Sequence, residues 1–177
     1  MGLKLHLGCG GIIFDGWKNI DVLPPADVRH DLTTGIPFSD GSVDFIYSEH
    51  FFEHLLPDAG GTLMRECRRV LVSGGTMRVA MPSLSYVVKK YLSTEWRDQD
   101  WLKRPEHGFI RTPAEMLNIG LRWWGHQWMY DEEELETRLR DAGFTQFVRR
   151  EFGESDHPEL RGRETRLDSM LIYDVTR

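Results

Sequence analysis

The chain has 177 residues, of which 40% are hydrophobic and 28% are charged, so it is long enough to bury the core of one domain. Its formal net charge of -6 argues against unaided binding to a nucleic-acid backbone, which favours a basic surface. No apolar run approaches the roughly 18 residues that cross a bilayer, and two cysteines in a chain that enters directly into a strand pattern are typical of a reducing compartment. We therefore expect one cytoplasmic domain over residues 1–177, with no membrane insertion and no nucleic-acid partner.

The first predicted element is a strand that ends in two glycines. Residues Leu5 to Gly10 read Leu-His-Leu-Gly-Cys-Gly, and Gly8 and Gly10 lack the Cβ that would keep a ligand away from the backbone. The next predicted strand, Lys18 to Val22, contains Asp21. An acid at this place can accept hydrogen bonds from both hydroxyls of a ribose. The two features together predict a cofactor that contains a nucleoside.

The spacing of eleven positions between Gly10 and Asp21 indicates which cofactor this is. Dinucleotide-binding folds place a full helix between the glycines and the acid, which then follows about 20 residues later. Residues 11–17 include Gly16 and cannot hold three helical turns. We therefore expect a reduced first crossover helix, without the helix N-terminus that binds phosphate. S-adenosyl-L-methionine (SAM) contains ribose and adenine but no phosphate, so the spacing favours SAM over NAD or ATP.

The remaining sequence alternates between strand and helix patterns. Apolar residues recur at helical spacing from Asp58 to Leu71, and a second helix is predicted from Asp131 to just before Gly143. This alternation is typical of an α/β fold, and we expect a Rossmann-like open, mostly parallel seven-stranded sheet that ends in an antiparallel hairpin. The further strands are predicted at Asp27–His30, Ser42–Ser48, Thr76–Met81, Phe144–Phe152 and Leu167–Thr176.

Residues 83–128, which we call the insertion, interrupt this alternation. They contain five of the six tryptophans, interleaved with lysine and arginine. Ligands of open α/β sheets bind beyond the carboxyl ends of the strands, where a segment that follows the fifth strand also lies. We therefore interpret the insertion as an aromatic-rich lid over the substrate. The alternative is that the tryptophans only pack a helical subdomain.

Several segments occur in an order that resembles a known enzyme family. They are Leu5–Gly10, Asp21, the pair Asp31-Leu32, Ser42–Leu55 and Arg65–Thr76. In this order they resemble the successive motifs of class I SAM-dependent methyltransferases, and the resemblance spans nearly the whole chain. The chain is similar to a small bacterial, methyltransferase type 11-like branch, in which a Trp-x-Asn-x-Asp run follows the glycines at this short distance.

The resemblance implies roles for individual residues. Taken alone, Asp21 also suits a turn or an N-cap, and Asp31 suits a cap ahead of Thr33-Thr34. The implied cofactor-binding residues are Gly8, Cys9 and Gly10 beside the methionine part of SAM, Asp21 at the ribose, Asp31 and Leu32 at the adenine, and Ser48 and Glu49 beside the transferred methyl group.

A histidine cluster follows the fourth predicted strand and has three interpretations. The run His50-Phe51-Phe52-Glu53-His54 matches the His-x-x-Glu-His pattern of inverted zinc metallopeptidases. It is also similar to the Glu-x-x-Glu-His run with which some small-RNA and quinone-pathway methyltransferases hold a divalent metal, and His107 or His126 could then complete the site. The third interpretation, which we favour, is that Glu53 and His54 orient the loop by hydrogen bonds and bind nothing. Whether a metal binds is left open.

The chemistry that the resemblance implies is methyl transfer to an acceptor aligned with the SAM sulfonium. A sugar or alcohol hydroxyl benefits from a base of near-neutral pKa, which histidine supplies. We expect His50 to be this base, with His54 and His126 as the other candidate catalytic residues. Because the branch that the chain resembles is associated with surface-polysaccharide synthesis, we expect a small-molecule or saccharide acceptor.

Two other functional classes stay open at this point. The first is a metal-dependent hydrolase that uses His50, Glu53 and His54, and the second is a SAM-binding subunit without turnover of its own. A homodimer is a further hypothesis, because a reduced crossover helix would leave one face of the sheet thinly covered and an exposed apolar face invites a partner.

Overall fold

Seven strands form one sheet in the computed structural model, which describes residues 2–177. The strands are β1 (Lys4–Leu7), β2 (Lys18–Asp21), β3 (Val28–Arg29), β4 (Val43–Glu49), β5 (Leu71–Met81), β6 (Gln146–Arg149) and β7 (Leu171–Thr176).

The strand order is β3-β2-β1-β4-β5-β7-β6. Strand β7 runs antiparallel to both of its neighbours, and the other pairings are parallel. The chain moves outward from β1 to β3 and returns to place β4 on the other side of β1, which creates a topological switch point between β1 and β4. The predicted α/β fold, with its mostly parallel seven-stranded sheet and C-terminal antiparallel hairpin, is confirmed.

Four α-helices accompany the sheet: α1 (Pro57–Val70), α2 (Leu84–Tyr91), α3 (Pro113–Arg122) and α4 (Glu132–Asp141). Helices α1 and α4 contact each other, and α2 contacts α3 within the insertion. Residues 8–17, between β1 and β2, form turns, so the reduced first crossover helix is also confirmed. No helix among residues 2–177 is both long and apolar enough to cross a membrane.

The element boundaries differ from the predictions at two places. Strand β5 begins directly after α1, and Gly74 and Gly75 lie within it instead of separating helix from strand. A Cβ on Gly75 would lie 3.0 Å from the backbone oxygen of Val72 and 3.1 Å from that of Asp44, so a side chain there would crowd the backbone. The last two strands are shorter than predicted, because residues 150–170 leave the sheet between β6 and β7. We call this segment the β6–β7 loop.

Alternate side chains of the central strands face opposite sides of the sheet, as strand geometry requires. Leu5 and Leu7 of β1 and Ile46 of β4 belong to the main apolar core, which includes residues of α1 and α4. Their neighbours His6 and Tyr47 belong to the other side, where they pack edge to face with ring centroids 5.4 Å apart.

This second side of the sheet is covered although it lacks a crossover helix. Trp17 packs with Tyr47 and with Leu160 of the β6–β7 loop in a separate apolar cluster. Phe14 joins this cluster and stacks on His6 at a centroid distance of 4.3 Å. The expectation that the reduced helix would leave an apolar face exposed is therefore wrong, and the homodimer hypothesis loses the observation on which it depended.

A buried arginine ties the β6–β7 loop to the same side of the sheet. Arg78 of β5 is fully buried and donates hydrogen bonds from Nε to Glu164 and from Nη1 to Asp174 at 2.7 Å. Asp174 also accepts hydrogen bonds from Ser155 at 2.7 Å and from Arg150 at 3.1 Å. Buried ion pairs of this kind leave an uncompensated charge when one partner is removed. No local pattern in the sequence predicts this network.

We expect Arg78→Met to lower the free energy of unfolding by about 3–5 kcal/mol, because Glu164 and Asp174 would remain buried without their guanidinium partner. Urea denaturation followed by circular dichroism measures this loss. The control is Arg65→Met, whose side chain lies on the exposed face of α1 and whose loss should cost less than about 0.5 kcal/mol. Equal effects of the two substitutions would contradict a structural role for the network.

Candidate functional site

The glycine loop, residues 8–11, leaves β1 at its carboxyl end. Gly8 has a φ of +63° and Gly10 a φ of +53°, a region that only glycine adopts without strain. A Cβ on Gly8 would lie 2.3 Å from the ring of Phe51, whereas one on Gly10 would have no heavy atom of residues 2–177 within 4 Å. Packing against Phe51 therefore requires glycine at position 8, and the open side of Gly10 leaves room for a ligand against the backbone.

Cys9 lies between these glycines and joins β1 to β2. Its backbone N–H donates to the carbonyl oxygen of Ile20 at 3.1 Å. Burial, together with the nearby charge of Asp21, raises the pKa of the Cys9 thiol to about 11. The thiol is therefore protonated at neutral pH, so Cys9 is not a nucleophile here, and only its backbone is placed to contact a ligand of the loop.

The carboxylate of Asp21 holds the glycine loop in place. Its Oδ2 accepts a hydrogen bond from the backbone N–H of Gly10 at 2.9 Å, and its Oδ1 accepts one from Leu23 at 3.1 Å. Asp21 therefore acts as the turn acid that the sequence also allowed. A carboxylate has about four acceptor sites, so it retains capacity for ribose hydroxyls. The ribose role of Asp21 stays a prediction.

An open groove of about 340 Å³ lies beside the carboxyl ends of β2 and β3 and is lined by Val22, Arg29, His30 and Asp31. The Oδ1 of Asp31 accepts hydrogen bonds from the N–H and the hydroxyl of Thr33, at 2.9 and 2.7 Å, which cap a 3₁₀ turn. These hydrogen bonds lower the pKa of Asp31. Asp31 therefore caps this turn, as the sequence also allowed. Leu32 is packed in the main core, so only its backbone can border an adenine.

Strand β4 ends in Ser48 and Glu49, which are both buried. The Ser48 hydroxyl has no hydrogen-bond partner within the described chain. The Glu49 carboxylate accepts hydrogen bonds from the backbone N–H groups of Thr165 and Arg166 and from the hydroxyl of Ser169, at 2.9 to 3.0 Å. Glu49 therefore anchors the β6–β7 loop, and its carboxylate is occupied by that loop instead of facing a ligand.

His50 begins the histidine turn, residues 50–54, in a strained conformation. Its φ of +50° is the one left-handed value of a non-glycine residue among residues 2–177, and such strain is typical of functional sites. Its Nε2 lies 3.1 Å from the Oγ of Ser169, which itself donates to Glu49. The proton of this contact therefore belongs to Nε2 of His50, which leaves Nδ1 unprotonated and 3.5 Å from Glu53. Burial, reinforced by the charge of Arg166, lowers the pKa of His50 to about 3.

Glu53, His54 and His126 come together beside His50. One side-chain oxygen or nitrogen from each of the three lies within 4.8 Å of the others. The His54 and His126 rings are 5.0 Å apart, and burial lowers the pKa of both. Burial raises the pKa of Glu53 to about 8. His107 lies outside this group, with its Nδ1 2.5 Å from the backbone oxygen of Trp101.

His50, His54 and His126 line a cleft of about 360 Å³, which we call the histidine cleft, between the carboxyl ends of β4 and β5 and the insertion. The insertion contributes Tyr86, Trp101 and Trp124 to its wall. Trp101 is also part of a small apolar cluster within the insertion. Trp101 therefore packs within the insertion and also lines the cleft, and the interpretation of the insertion as a lid stays a prediction.

Two further lining residues, Arg166 and Asp168, were missed by the sequence analysis. They lie in the β6–β7 loop, more than one hundred positions after the histidine turn, and reach the cleft because Glu49 anchors that loop. Asp168 has a buried Oδ1 with no hydrogen-bond partner in the described chain. No local pattern in the sequence indicates this long-range contact.

The metallopeptidase pattern does not form its required helix. In inverted zinc metallopeptidases the two histidines occupy one helix face, but here Phe52–His54 is a single 3₁₀ turn after a strand. His50 pairs with Ser169 rather than lying beside His54 on a helix. The arrangement therefore gives the hydrolase interpretation of His50, Glu53 and His54 no structural support.

The sequence matches the family model described as a methyltransferase domain over residues 16–79, which is just over a third of the chain. No curated protein matches the sequence significantly. The matched segment runs from the approach to β2 into β5 and includes Asp21, Asp31 and the histidine turn.

Solved structures of methyltransferases share the fold over most of the chain. A SAM-dependent methyltransferase from Thermotoga maritima, described as a possible histamine N-methyltransferase, has a TM-score of 0.58 at 17% identity, covering 100% of this chain and 83% of its own. A SAM-dependent methyltransferase from Archaeoglobus fulgidus has a TM-score of 0.54 at 18% identity, covering 89% and 67%. A chain from the complex between the Haloferax volcanii Trm112 methyltransferase activator and a methyltransferase has a TM-score of 0.54 at 17% identity, covering 99% and 81%.

Because these sequence identities are only 17% to 18%, the solved structures establish a common fold and do not establish a function. The family match adds sequence evidence over residues 16–79, which include β2, β3, β4 and α1 but not β1 or the glycine loop. Together they support the predicted class of protein, a SAM-dependent methyltransferase, and with it an enzyme that uses SAM as its cofactor.

Substitution of Gly8 and of Gly10 should separate the packing role of Gly8 from the backbone strain that both positions share. We expect Gly8→Ala to lower the free energy of unfolding by about 2–5 kcal/mol, because left-handed strain and a clash with Phe51 add. Gly10→Ala should cost only about 1–2 kcal/mol, because it adds strain without a clash. Urea denaturation compares the two, and the excess cost at position 8 should shrink in a Phe51→Ala background. Equal costs in both backgrounds would exclude the packing role.

Proposed function

We propose that the protein transfers the methyl group of SAM to a hydroxyl of a small-molecule or sugar acceptor that binds in the histidine cleft. The observation that carries this proposal is the position of the cleft. It opens at the carboxyl end of β4, next to the glycine loop, because β4 pairs with β1 and Phe51 packs on Gly8. A methyl donor at the glycine loop and an acceptor in the cleft would therefore be neighbours, as an in-line transfer requires.

The residues at the switch point suit SAM as the ligand of the glycine loop. The open side of Gly10 admits a ligand against the backbone, and the groove beside Asp31 continues from the end of β2. When bound, SAM supplies a methyl group that its sulfonium already activates. We propose that Gly8, Cys9 and Gly10 flank its methionine part, that Asp21 binds the ribose, and that Asp31 and the backbone of Leu32 border the adenine.

A titration with S-adenosylhomocysteine (SAH) tests the cofactor assignment. We expect Asp21→Asn to weaken SAH binding in calorimetry about tenfold or more, because the amide keeps the shape but loses one acceptor and the charge that strengthens a hydrogen bond. Asp15→Asn is the matched control, since Asp15 is exposed in the turn between β1 and β2. NAD should not bind either protein. Unchanged SAH affinity in Asp21→Asn would exclude the ribose role.

The shape and lining of the histidine cleft support a small acceptor. Its volume of about 360 Å³ lies at the lower end of the range for small-molecule sites, so it suits one sugar or a group of similar size. Trp101 and Trp124 offer flat apolar surfaces, and Gln99, Arg104 and Asp168 offer polar groups for hydroxyls. The insertion would then act as the lid that covers this acceptor.

The hydrogen bonds of the three histidines suggest different roles for them. The Nε2 of His50 is occupied by Ser169, so His50 is better suited to hold the histidine turn in position than to take a proton. The Nδ1 of His126 donates to the backbone oxygen of Gly120 at 2.9 Å, which leaves its Nε2 unprotonated in the neutral ring. We propose that His126, assisted by His54, provides the basic nitrogen near the acceptor hydroxyl.

Methyl transfer can be measured with a panel of monosaccharides and sugar nucleotides, by release of SAH and the mass of one added methyl group. We expect His126→Asn to lower kcat by about 100-fold or more, with SAH affinity unchanged. His107→Asn is the matched control in the same insertion and should retain kcat. Equal rates in wild type and His126→Asn would contradict the role of His126.

The second functional candidate is a SAM-binding subunit that needs a partner. The specific observation that favours it is the fold shared with a chain from the complex that contains the Haloferax volcanii activator. SAH binding without methylation of any acceptor by the purified chain would favour this candidate over an autonomous enzyme.

A further inference from the structure

We propose that Glu53, His54 and His126 bind one divalent transition-metal ion at the inner wall of the histidine cleft. The site itself stands on the chemistry and placement of these three side chains, and only the role of the ion in activating an acceptor rests on the proposed function. The site joins the histidine turn to the end of the insertion, so neither segment forms it alone.

The three side chains offer a donor set that suits a first-row transition metal. Their ligand atoms, one carboxylate oxygen and two imidazole nitrogens, all lie within 4.8 Å of one another. Neighbouring ligands of a tetrahedral ion, each about 2.1 Å from it, are about 3.4 Å apart, so side-chain shifts of up to about 1.4 Å would close the site. Imidazole together with carboxylate favours Zn²⁺, Co²⁺, Fe²⁺ or Mn²⁺ over Ca²⁺ and Mg²⁺.

The carboxylate of Glu53 is an unpaired buried group that a cation would satisfy. The residue is only 1% exposed, and neither carboxylate oxygen has a hydrogen-bond partner within residues 2–177. Its nearest basic neighbour, Nδ1 of His50, is 3.5 Å away. Buried polar groups are almost always hydrogen-bonded, and buried charges are paired or coordinate metals. An orphan carboxylate that faces two histidines therefore points to an ion.

His126 is held in an orientation that suits metal binding. The Nδ1 of His126 donates to the backbone oxygen of Gly120, which fixes the ring and leaves Nε2 as the ligand atom. Metal-binding histidines commonly donate their other nitrogen to a backbone carbonyl in this way. A ligand that is oriented before the ion arrives lowers the cost of binding it.

Hydrogen bonds also fix the distance between the two segments that carry the ligands. The backbone oxygen of Glu53 accepts from the N–H groups of Gln127 at 2.7 Å and Trp128 at 3.2 Å. The side chain of Gln127 donates to the backbone oxygen of His54 at 2.8 Å. The end of the insertion is thus hydrogen-bonded to the backbone of Glu53 and His54, the two residues of the histidine turn that supply ligands.

Asp168 provides a second acidic group at the same place. Its Oδ1 is buried without a hydrogen-bond partner in the described chain, and the residue lines the same cleft. It lies close enough for its charge to raise the pKa of both Glu53 and His126. Arg166, which also lines the cleft, is partly neutralised by Glu49 at 3.9 Å. We infer that the negative charge of Asp168 stabilises the ion from the side of the cleft. Groups bound in the cleft would occupy the remaining coordination positions of the ion.

An ion at this site would face the acceptor. Coordination of a hydroxyl to a divalent ion lowers the pKa of that hydroxyl and fixes its direction. With the ion bound, Nε2 of His126 would hold the ion, and the role of His126 as a base, proposed above, would belong to the protein without metal.

Cobalt binding provides a direct test, because Co²⁺ in a nitrogen and oxygen site has visible ligand-field bands. Protein freed of metal by a chelator should bind one Co²⁺ per chain in equilibrium dialysis, with displacement by Zn²⁺. Glu53→Gln and His126→Asn should each weaken Co²⁺ binding about 100-fold or more, since second-shell changes alone cost 10- to 100-fold. Co²⁺ should also raise the melting temperature of the wild type, an increase that both variants lose.

The control His107→Asn removes a histidine of the insertion that is not in the cluster and should bind Co²⁺ like the wild type. Glu53→Gln preserves side-chain shape, and its SAH affinity reports whether it is folded; if it is not folded, wild type and His126→Asn decide. Absence of a 1:1 Co²⁺ complex in the wild type, or equal Co²⁺ affinity in wild type and His126→Asn, would overturn the metal site. SAH binding without Co²⁺ binding refutes this inference alone, and Co²⁺ binding without SAH binding refutes the proposed function alone.

Discussion

The close contact between Gly8 and Phe51 is the constraint on which the site depends. A side chain at position 8 would overlap the ring of Phe51, so the glycine loop and the histidine turn can approach each other only because Gly8 has no Cβ. The pairing of β1 with β4 brings the two segments to the same edge of the sheet. The contact then sets how far the glycine loop lies from His50 and from the histidine cleft.

The loss of the first crossover helix is balanced by the β6–β7 loop. The loop supplies Leu160, which packs with Trp17 on the side of the sheet that the helix would cover. Arg78 holds the same loop through a buried ion network, and Glu49 holds its end. Because the loop is held at both places, its residues Arg166 and Asp168 reach the cleft. The β6–β7 loop therefore completes both the apolar cluster around Trp17 and the wall of the histidine cleft.

The fold could be predicted because its signals are local, whereas the cofactor roles of the glycines and Asp21 stay predictions. The glycines, Asp21 and the alternating strands are each recognised within a few residues, and the sheet agrees with the prediction. The hydrogen-bond partners of Glu49 and the burial of the Glu53 carboxylate beside His126 could not be predicted, because they depend on residues that lie far away in sequence. The prediction of an exposed sheet face failed for the same reason, because Leu160 lies more than one hundred positions from the strand that it covers.

The two ends of the site belong to different parts of the chain, and this difference bears on specificity. The segment that matches the methyltransferase family model, residues 16–79, contains Asp21, Asp31 and the histidine turn. The aromatic wall of the cleft and His126 come from the insertion, and Arg166 and Asp168 come from the β6–β7 loop. Both lie outside the matched segment. The walls of the cleft can therefore change with these two segments while the matched segment stays the same, because the segments meet the histidine turn through a few hydrogen bonds, to the backbone of Glu53 and His54 and to the side chains of Glu49 and His50.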